Sequence, residues 1–292
     1  MPTTTSLIPV TVDGVRLDSY AYNISTKSGR DYVPSVRGAN AEAPGRHGSL
    51  YIPGKKFDDG RFLLNMWVIG ANTDGTISTN ALDEYRQNID MLKRLFGKRH
   101  ALLDVQATDS LGAVRQAYCE VLAAIDPEVV GTNPLGRFTV ELKIPGVFWR
   151  DTTDTNYDSG AGGVNSTSTT VNNTNHAGAT GIMEDLIIVV DGPATNPKVI
   201  DNATGHYVQL NEALPSGSQW NIDTSTWSSK VGVGIAFTTG GTDKTAVTGF
   251  SGQHSPRYFA MTPDATSIPI GWTCTGPSAA TRLRIRGRKK YL

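Results

Sequence analysis

The chain has 292 residues, of which 38% are hydrophobic and 18% are charged. This composition excludes a disordered protein, and the length favours two domains, because single hydrophobic cores stop growing near ~250 residues. Basic and acidic residues both number 27, so the whole molecule lacks the strong field that attracts nucleic acid or an anionic membrane.

Targeting signals and disulfides are not indicated. The first thirty residues lack a basic start followed by an apolar segment, and the longest clean apolar run, residues 186–190, is far shorter than the ~20 residues that span a bilayer. We therefore expect a soluble protein made in the cytoplasm, with no membrane insertion. Cys119 and Cys274 lie far apart in sequence and are expected to be buried thiols.

The first half of the chain predicts β-strands around a single helix. A hairpin is expected around Asp13-Gly14, followed by a long Gly-, Pro- and Arg-rich loop over residues 30–56. Residues 61–69 predict a central strand, since one face is apolar and the other is partly so. Strands are also predicted over 116–124 and 137–144.

One helix is predicted over residues 80–96. Ser78, Thr79 or Asn80 can cap its first turn, and Gly97 is expected to end it in the left-handed conformation. Its apolar residues recur at spacings of three and four: Leu82, Tyr85, Ile89, Leu92 and Leu95. We expect this helix to pack across a sheet.

A change in composition after residue 150 predicts two domains, 1–150 and 151–292. Asp, Thr, Asn, Gly and Ser dominate from Asp151 to about His176, and we expect a linker over about 151–164, with residues 160–163 as a flexible joint. Beyond it, short strands are predicted over 186–190, 198–200, 206–210, 219–223, 231–237 and 282–286. Short strands separated by turns, without a helical window, predict a β-sandwich.

No catalytic, cofactor or metal site is predicted. Phosphate-binding loops are missing, and adjacent acidic pairs such as Asp58 and Asp59 diverge in an extended chain. The five histidines show no metal-ligand spacing and are expected at the surface: His47, His100, His176, His206 and His254. Asp151, Asp154 and Asp158 could offer oxygen ligands to calcium, but a solvated linker is favoured because their spacing differs from an EF-hand loop.

Two groups of residues in the second half leave alternatives open. Trp220, Trp227 and Trp272 could bind the apolar faces of sugar rings, although core packing is favoured. Arg282, Arg284 and Arg286 would share one face of a strand, with Leu283 and Ile285 on the other. This basic row could grip phosphate or an acidic neighbour, or could protect an edge strand from aggregation.

The order of these elements resembles the distal tail protein family of long-tailed, siphovirus-type phages, particularly the minor tail proteins of phages with actinobacterial hosts. In the first half the resemblance rests on the hairpin at Asp13-Gly14, the loop residues 43–48, the strand over 61–69, the capped helix and the run over 138–149. In the second half it rests on residues 175–178, 187–192 and 195–197, on Gly205 and on residues 220–223.

The resemblance implies a structural virion protein and no enzyme. Its fold would be mostly β with one main helix: an N-terminal β-sandwich or split-barrel-like domain that forms a ring, and a C-terminal galectin-like β-sandwich. The ring, usually a hexamer, would lie at the distal end of the tail and join the tail tube and tape measure proteins to the tail-tip or baseplate hub. Nucleic acid would meet it only in transit through the channel. Arg37, Arg46 and Lys55 are candidate ring or partner contacts.

The alternative is an adhesin that binds host glycans through the tryptophans of the C-terminal β-sandwich. Galectin-like does not by itself mean sugar-binding, because a fold hosts many functions.

Overall fold

The computed structural model describes residues 8–25, 35–37, 41–42, 49–50, 56–76, 79–98, 100–109, 112–129, 134–250 and 259–292. Within it the chain divides into two compact units, Met1–Arg150 together with Leu292, and Asp151–Tyr291. The described residues are mostly β with one α-helix, which confirms the predicted fold class.

The described residues of the first unit form eleven complete strands, the start of a twelfth, and the helix. The elements are β1 (Ile8–Val12), β2 (Val15–Arg16), β3 (Tyr22–Ile24), β4 (Val36–Arg37), β5 (Ala41–Glu42), β6 (Ser49–Leu50), β7 (Lys56–Phe57), β8 (Gly60–Ile69), α1 (Ala81–Phe96), β9 (Leu103–Thr108), β10 (Val114–Val129), β11 (Leu135–Ile144) and β12 (Trp149–Asp151). β4 pairs with β7 and β5 with β6, and most of the others form one large sheet.

This large sheet must curl because its two ends are joined by a short connection. Its strand order is β2-β1-β9-β10-β11-β8-β3, yet β2 and β3 are consecutive in sequence and separated by residues 17–21. Seven flat strands would span about 29 Å, whereas this link reaches about 20 Å at most. β10 supplies much of the bend: its first part pairs with β9, its second part pairs with β11, and bulges interrupt the second part.

The core of the first unit lies between the inner face of the curled sheet and α1. Inward residues of β8 and β11 are buried at every second position: Phe62, Leu64, Met66, Val68, Phe138, Val140 and Leu142. The helix packs on β8 and β10, and Phe96 stacks on Phe138 with ring centroids 5.9 Å apart. The apolar face predicted for the helix is therefore confirmed for Tyr85, Ile89, Leu92 and Leu95, while Leu82 is exposed.

The two ends of α1 differ in how well the sequence predicts them. Asn80 is the N-cap, since its side chain accepts a hydrogen bond from the Asp83 backbone N–H, as predicted. The left-handed ending expected at Gly97 is wrong. Gly97 has a φ of −80°, and its N–H donates to the Lys93 carbonyl, so the last turn closes without a positive φ.

The second unit contains the remaining strands and one short 3-10 helix, Thr245–Val247. The strands are β13 (Thr155–Asp158), β14 (Ser168–Asn173), β15 (Leu186–Asp191), β16 (Ala194–Asp201), β17 (Tyr207–Leu210), β18 (Ala213–Leu214), β19 (Gln219–Asp223), β20 (Ser228–Gly232), β21 (Thr242–Asp243), β22 (Thr248–Phe250), β23 (Ile268–Thr275), β24 (Arg282–Gly287) and β25 (Lys290–Tyr291). One sheet has the order β13-β24-β15-β19-β20-β21, and the other has the order β14-β23-β16-β17-β22, with β18 beside β16.

Both sheets of the second unit contribute to one hydrophobic core, which is the arrangement of a β-sandwich. Trp220 of the first sheet and Trp272 of the second are among its largest fully buried side chains. Trp220 donates from its indole N–H to the Ser229 hydroxyl at 2.8 Å, which satisfies the buried donor.

The second unit differs from the sequence predictions in three places. The strand expected over 231–237 ends at Gly232, because Gly234 and Phe237 have positive φ and the Asn221 and Gln219 side chains bond the backbone of residues 235–238. The linker expected over 151–164 contains β13. β23 was not predicted at all, although it is a central strand paired with β14 and β16.

Candidate interaction surface

Clusters typical of metal enzymes are not found in the described part of the chain. No group of three or more His, Cys, Asp or Glu side chains there is placed to hold a metal ion, and no described helix is long and apolar enough to cross a bilayer. Cys119 and Cys274 are buried free thiols, as predicted, and burial raises the pKa of both. A buried neutral thiol is a poor nucleophile.

Two cavities lined by described residues stand out, the first in the first unit and the second in the second unit. In the first, about 520 Å³ opens between the link after β2, the turn after β8 and Met91 of α1, with Tyr20 and Asp74 in its lining. In the second, about 160 Å³ is lined by acidic residues that include Asp154, Asp185 and Asp223. Asp154 pairs with Arg288 at 3.1 Å and Asp185 pairs with Lys290 at 3.0 Å, so basic side chains already neutralise much of this lining.

The most unusual surface is the outer face of the curled sheet, on the side opposite α1. Among the described side chains of β8 and β10, five large apolar ones are substantially exposed. The first four form this surface, Leu63 (45%), Trp67 (37%), Tyr118 (44%) and Leu122 (40%), and the fifth, Val114 (43%), lies at the start of β10, where that strand pairs with β9. We call this surface the outer face, and define it by these four residues and by the outward residues of β11 that lie beside them. A strand with apolar residues on both sides is typical of a sheet covered on both faces, but α1 covers only one.

Polar side chains of β11 divide the outer face into two apolar strips. Strand register aligns Glu141 with Leu63, Thr139 with Asn65, and Arg137 with Trp67. Asn65 holds this row in place, because its side-chain oxygen accepts from the Thr139 hydroxyl at 2.9 Å and from the Arg137 guanidinium at 3.3 Å. The guanidinium beside Trp67 is therefore oriented before any partner arrives.

Charges of both signs surround the apolar strips. Among the described side chains, the basic ones are Arg61, Arg137, Lys143 and Arg150, and the acidic ones are Asp59, Glu120 and Glu141. Lys143 lies 3.0 Å from Asp59 and 3.7 Å from Glu120. Arg150 lies over the Tyr118 ring, 4.3 Å from its centroid. Exposed Trp and Tyr beside oriented Arg is the composition enriched in protein interfaces.

Part of this surface was visible in the sequence. The alternation in residues 61–69 already placed Leu63 and Trp67 on a second, partly apolar face, and led to the prediction of a central strand, which is confirmed by the neighbours β11 and β3. Tyr118 and Leu122 carried no such signal, because their strand is bulged and its alternation is broken.

The predicted loop contacts fall mostly outside the described residues. Arg46 and Lys55 lie outside the described residues, and so do His47 and His254. Arg37 belongs to β4 and is in register with Lys56 of β7. These three basic residues remain predictions as partner contacts.

The three candidate glycan-binding tryptophans lie in different environments. Trp220 and Trp272 have no exposed surface, so neither presents a ring face to a sugar. Trp227 is half-buried, with a φ of 56°, and packs edge-on against Phe250 with ring centroids 5.4 Å apart. Core packing thus accounts for two of the rings, and the third is engaged with a neighbouring aromatic side chain.

The basic row of β24 is paired within its own unit. Leu283 and Ile285 point into the core as predicted, and the three arginines point away from it. Their acidic partners are Asp158 for Arg282, Asp191 for Arg284 and Asp154 for Arg286. The idea of a charged edge strand is wrong, because β13 and β15 flank β24 on both sides.

The acidic residues of the predicted linker serve this arginine row. Asp158 lies in β13, and the Arg282 guanidinium holds the pKa of its carboxyl below the usual range. Asp154 contacts Arg286 and Arg288. The prediction of a solvated linker is wrong here. Residues 155–158 form a strand that pairs with β24, and Asp154 and Asp158 form ion pairs with arginines of β24.

The surface position predicted for His176 is also wrong. The side chain is fully buried, and its Nδ1 lies 3.1 Å from the Asn173 side-chain oxygen. Burial lowers the pKa of the imidazole to about 4, so it is neutral near pH 7. His100 is exposed and His206 is half-buried.

The solved structures reported next, to which this chain is similar, come from phages. The chain is similar to the crystal structure of SPP1 Dit (gp 19.1), described as a paradigm of the hub adsorption apparatus in phages that infect Gram-positive bacteria; identity is 16%, the TM-score is 0.60, and the match covers 99% of this chain and 100% of that one. The chain has the fold of a phage distal tail protein. The resemblance predicted from the sequence is confirmed at the level of the fold.

Weaker similarity extends to the baseplate of phage p2 in its activated conformation. A chain from the structure with Sr has 9% identity and a TM-score of 0.41, and one from the structure with Ca has 10% identity and a TM-score of 0.38; each match covers 99% of both chains. No protein-family model and no curated protein matches the sequence.

Proposed function

We propose that the chain is a structural protein of a phage tail tip, and that copies of its first unit assemble into a ring joining the tail tube to the tip proteins. The observation that carries this proposal is the likeness to SPP1 Dit along the whole length of both chains. A match over both units supports a shared architecture, whereas a match to one unit alone would support only a shared module.

The chemistry of the described residues agrees with an assembly role. The largest concentration of exposed aromatic and apolar side chains described above lies on a sheet face and not in a cleft. Enzyme sites are usually concave, with a few converging polar groups, whereas protein interfaces are broad and combine Trp, Tyr and Arg. We propose no catalytic role.

A closed ring also requires particular surfaces. Identical subunits close into a ring through a heterologous contact, in which two different patches of each copy meet. In this proposal the first unit supplies both patches, six copies surround a channel, and the second unit docks tail-tip proteins. The tail tube and tape measure proteins are the proposed neighbours on the other side, and nucleic acid would pass through the channel only in transit.

Electron microscopy of the purified full-length chain tests this proposal directly. We expect closed rings with a central hole, and peptides of this chain in purified virion tails when they are analysed by mass spectrometry. A stable monomer at high concentration, together with the absence of the chain from purified tails, would contradict it.

A further inference from the structure

We infer that the outer face of the first unit binds a second copy of this chain. This inference rests on the proposed function, and goes beyond it by naming the contact surface and its central residues. The surface comprises Leu63 and Trp67 on β8, Tyr118 and Leu122 on β10, and the polar row of β11 between them.

The first argument is the two-sided apolar character of β8. Its inward residues are all buried, yet Leu63 and Trp67 on the other side remain 45% and 37% exposed in the single chain. Covering apolar side chains releases roughly 25 cal/mol for each Å² removed from water. A partner that covers this face therefore gains binding free energy mainly by burying Leu63 and Trp67, whose exposure to water is unfavourable in the free protein.

The second argument is the charge of the surface. Among the side chains that the structure describes around the apolar strips, four are basic and three are acidic, so the face carries both signs. Nucleic acid or an anionic membrane would be matched by a basic surface. A copy of this chain, whose net charge is zero, matches a surface of mixed sign.

The third argument is size. β8 and β11 each contain ten residues and are in register over their whole length. Ten residues extend about 34 Å, and three neighbouring strands are about 14 Å wide, which gives a flat area of roughly 500 Å². Side-chain relief makes the accessible area larger, which brings it near the ~800 Å² that each partner buries in a standard interface.

Trp67 is the residue expected to contribute most to the contact. It stands beside the oriented guanidinium of Arg137, and Trp and Arg are the residue types that most often dominate binding energy. Because the side chain is already partly exposed in the free chain, its replacement should change assembly more than folding.

Sedimentation velocity of the full-length chain tests this inference with three variants. The first combines Leu63→Ser with Trp67→Ser. The second is Trp67→Glu, whose new carboxylate would face Arg137 across the strand pair and so keep the sheet intact. The matched control is Leu102→Ser, which removes a side chain that is 51% exposed in the connection between α1 and β9.

We expect the dissociation constant for self-association of both outer-face variants to rise at least about thirtyfold, which is the effect of replacing a residue at the centre of an interface. The control should assemble like the wild type. Far-UV circular dichroism and the thermal midpoint, measured in parallel, show whether the variants keep their fold. If either folded outer-face variant assembles like the wild type, the inference is overturned, and the proposed ring must then use another surface.

A wild-type chain that stays monomeric at its highest soluble concentration would also overturn the inference. Mass spectrometry of purified tails then separates the two claims. The chain's presence in tails preserves the proposed structural role without this contact, and its absence removes both.

Discussion

Acid should destabilise the second unit through His176. The imidazole is fully buried, and its Nδ1 lies 3.1 Å from the Asn173 side-chain oxygen, which favours the neutral tautomer with the proton on Nδ1. Burial lowers the pKa from 6.5 to about 4, and the positive charge of Lys289 acts in the same direction. The nearby carbonyls of Gly287 and Thr155 and the charge of Asp151 offset only part of this effect.

The direction of the pH dependence follows from these values. Between pH 6.5 and 4 the unfolded chain binds a proton at this histidine and the folded chain does not, so acid favours unfolding. The stability that depends on a neutral His176 is fully present above pH 6.5 and is lost as the pH falls towards 4. Integrated from pH 7.5 to pH 4.5, the loss is about 2 to 3 kcal/mol in the free energy of unfolding.

Urea unfolding measured at several pH values between 4.5 and 7.5 checks this prediction. Tryptophan fluorescence is a suitable probe, because Trp220 and Trp272 are buried in the core of the same unit. The variant His176→Gln should lose most of the pH dependence in this range. The matched control, His206→Gln, alters a half-buried histidine outside that core and should keep the wild-type slope.

The paired measurement can contradict the reasoning in two ways. If His176→Gln retains the wild-type slope, another group causes the acid sensitivity. If the wild type is equally stable at pH 4.5 and 7.5, the imidazole is not held neutral by burial.

Three further changes should alter stability by amounts set by their surroundings, each measurable by urea unfolding. Asn80→Ala removes the cap of α1 and should cost about 1 kcal/mol, whereas Asn80→Ser should cost little; equal losses would argue against capping. Phe138→Ala leaves a cavity against α1 in the core of the first unit and should cost about 3 to 5 kcal/mol; a loss below 1 kcal/mol would mean that the site collapses freely. Arg284→Gln leaves Asp191 without its 2.6 Å partner in a mostly buried position and should cost about 3 kcal/mol, and adding Asp191→Asn should recover part of that loss. If the double variant is less stable than Arg284→Gln, the two residues do not act as a pair.

Several elements of the first unit could be predicted because their signals are local. The period of α1 and its cap at Asn80 depend on residues within one helix. The alternation in β11 depends on one strand with one wet face, and the two-sided apolar pattern of β8 depends on its central place in a sheet. In each case the pattern that allows the prediction lies within the residues of one element.

The errors occur where a distant segment determines the environment. β23 contains Pro269 and Gly271, which locally indicate a break, yet a Cβ at position 271 would lie 2.4 Å from the Asn202 side chain, so the missing side chain at Gly271 leaves room for that distant amide. His176 sits in a turn-like sequence and is buried only because that turn packs into the sandwich. The local sequence around Asp154 and Asp158 predicts a solvated linker. The structure differs because the arginines of β24, more than a hundred residues away, form ion pairs with both residues.

The sequence by itself determined that this chain is a mostly-β, two-part protein with one amphipathic helix and a strand that is apolar on both sides. Only the tertiary structure decided which apolar residues remain uncovered, because exposure depends on which element packs on each face, and α1 packs on one face of β8 while leaving Leu63 and Trp67 on the other. Burial and charge pairing are properties of segments brought together by folding, and periodicity within one segment carries no information about its partner.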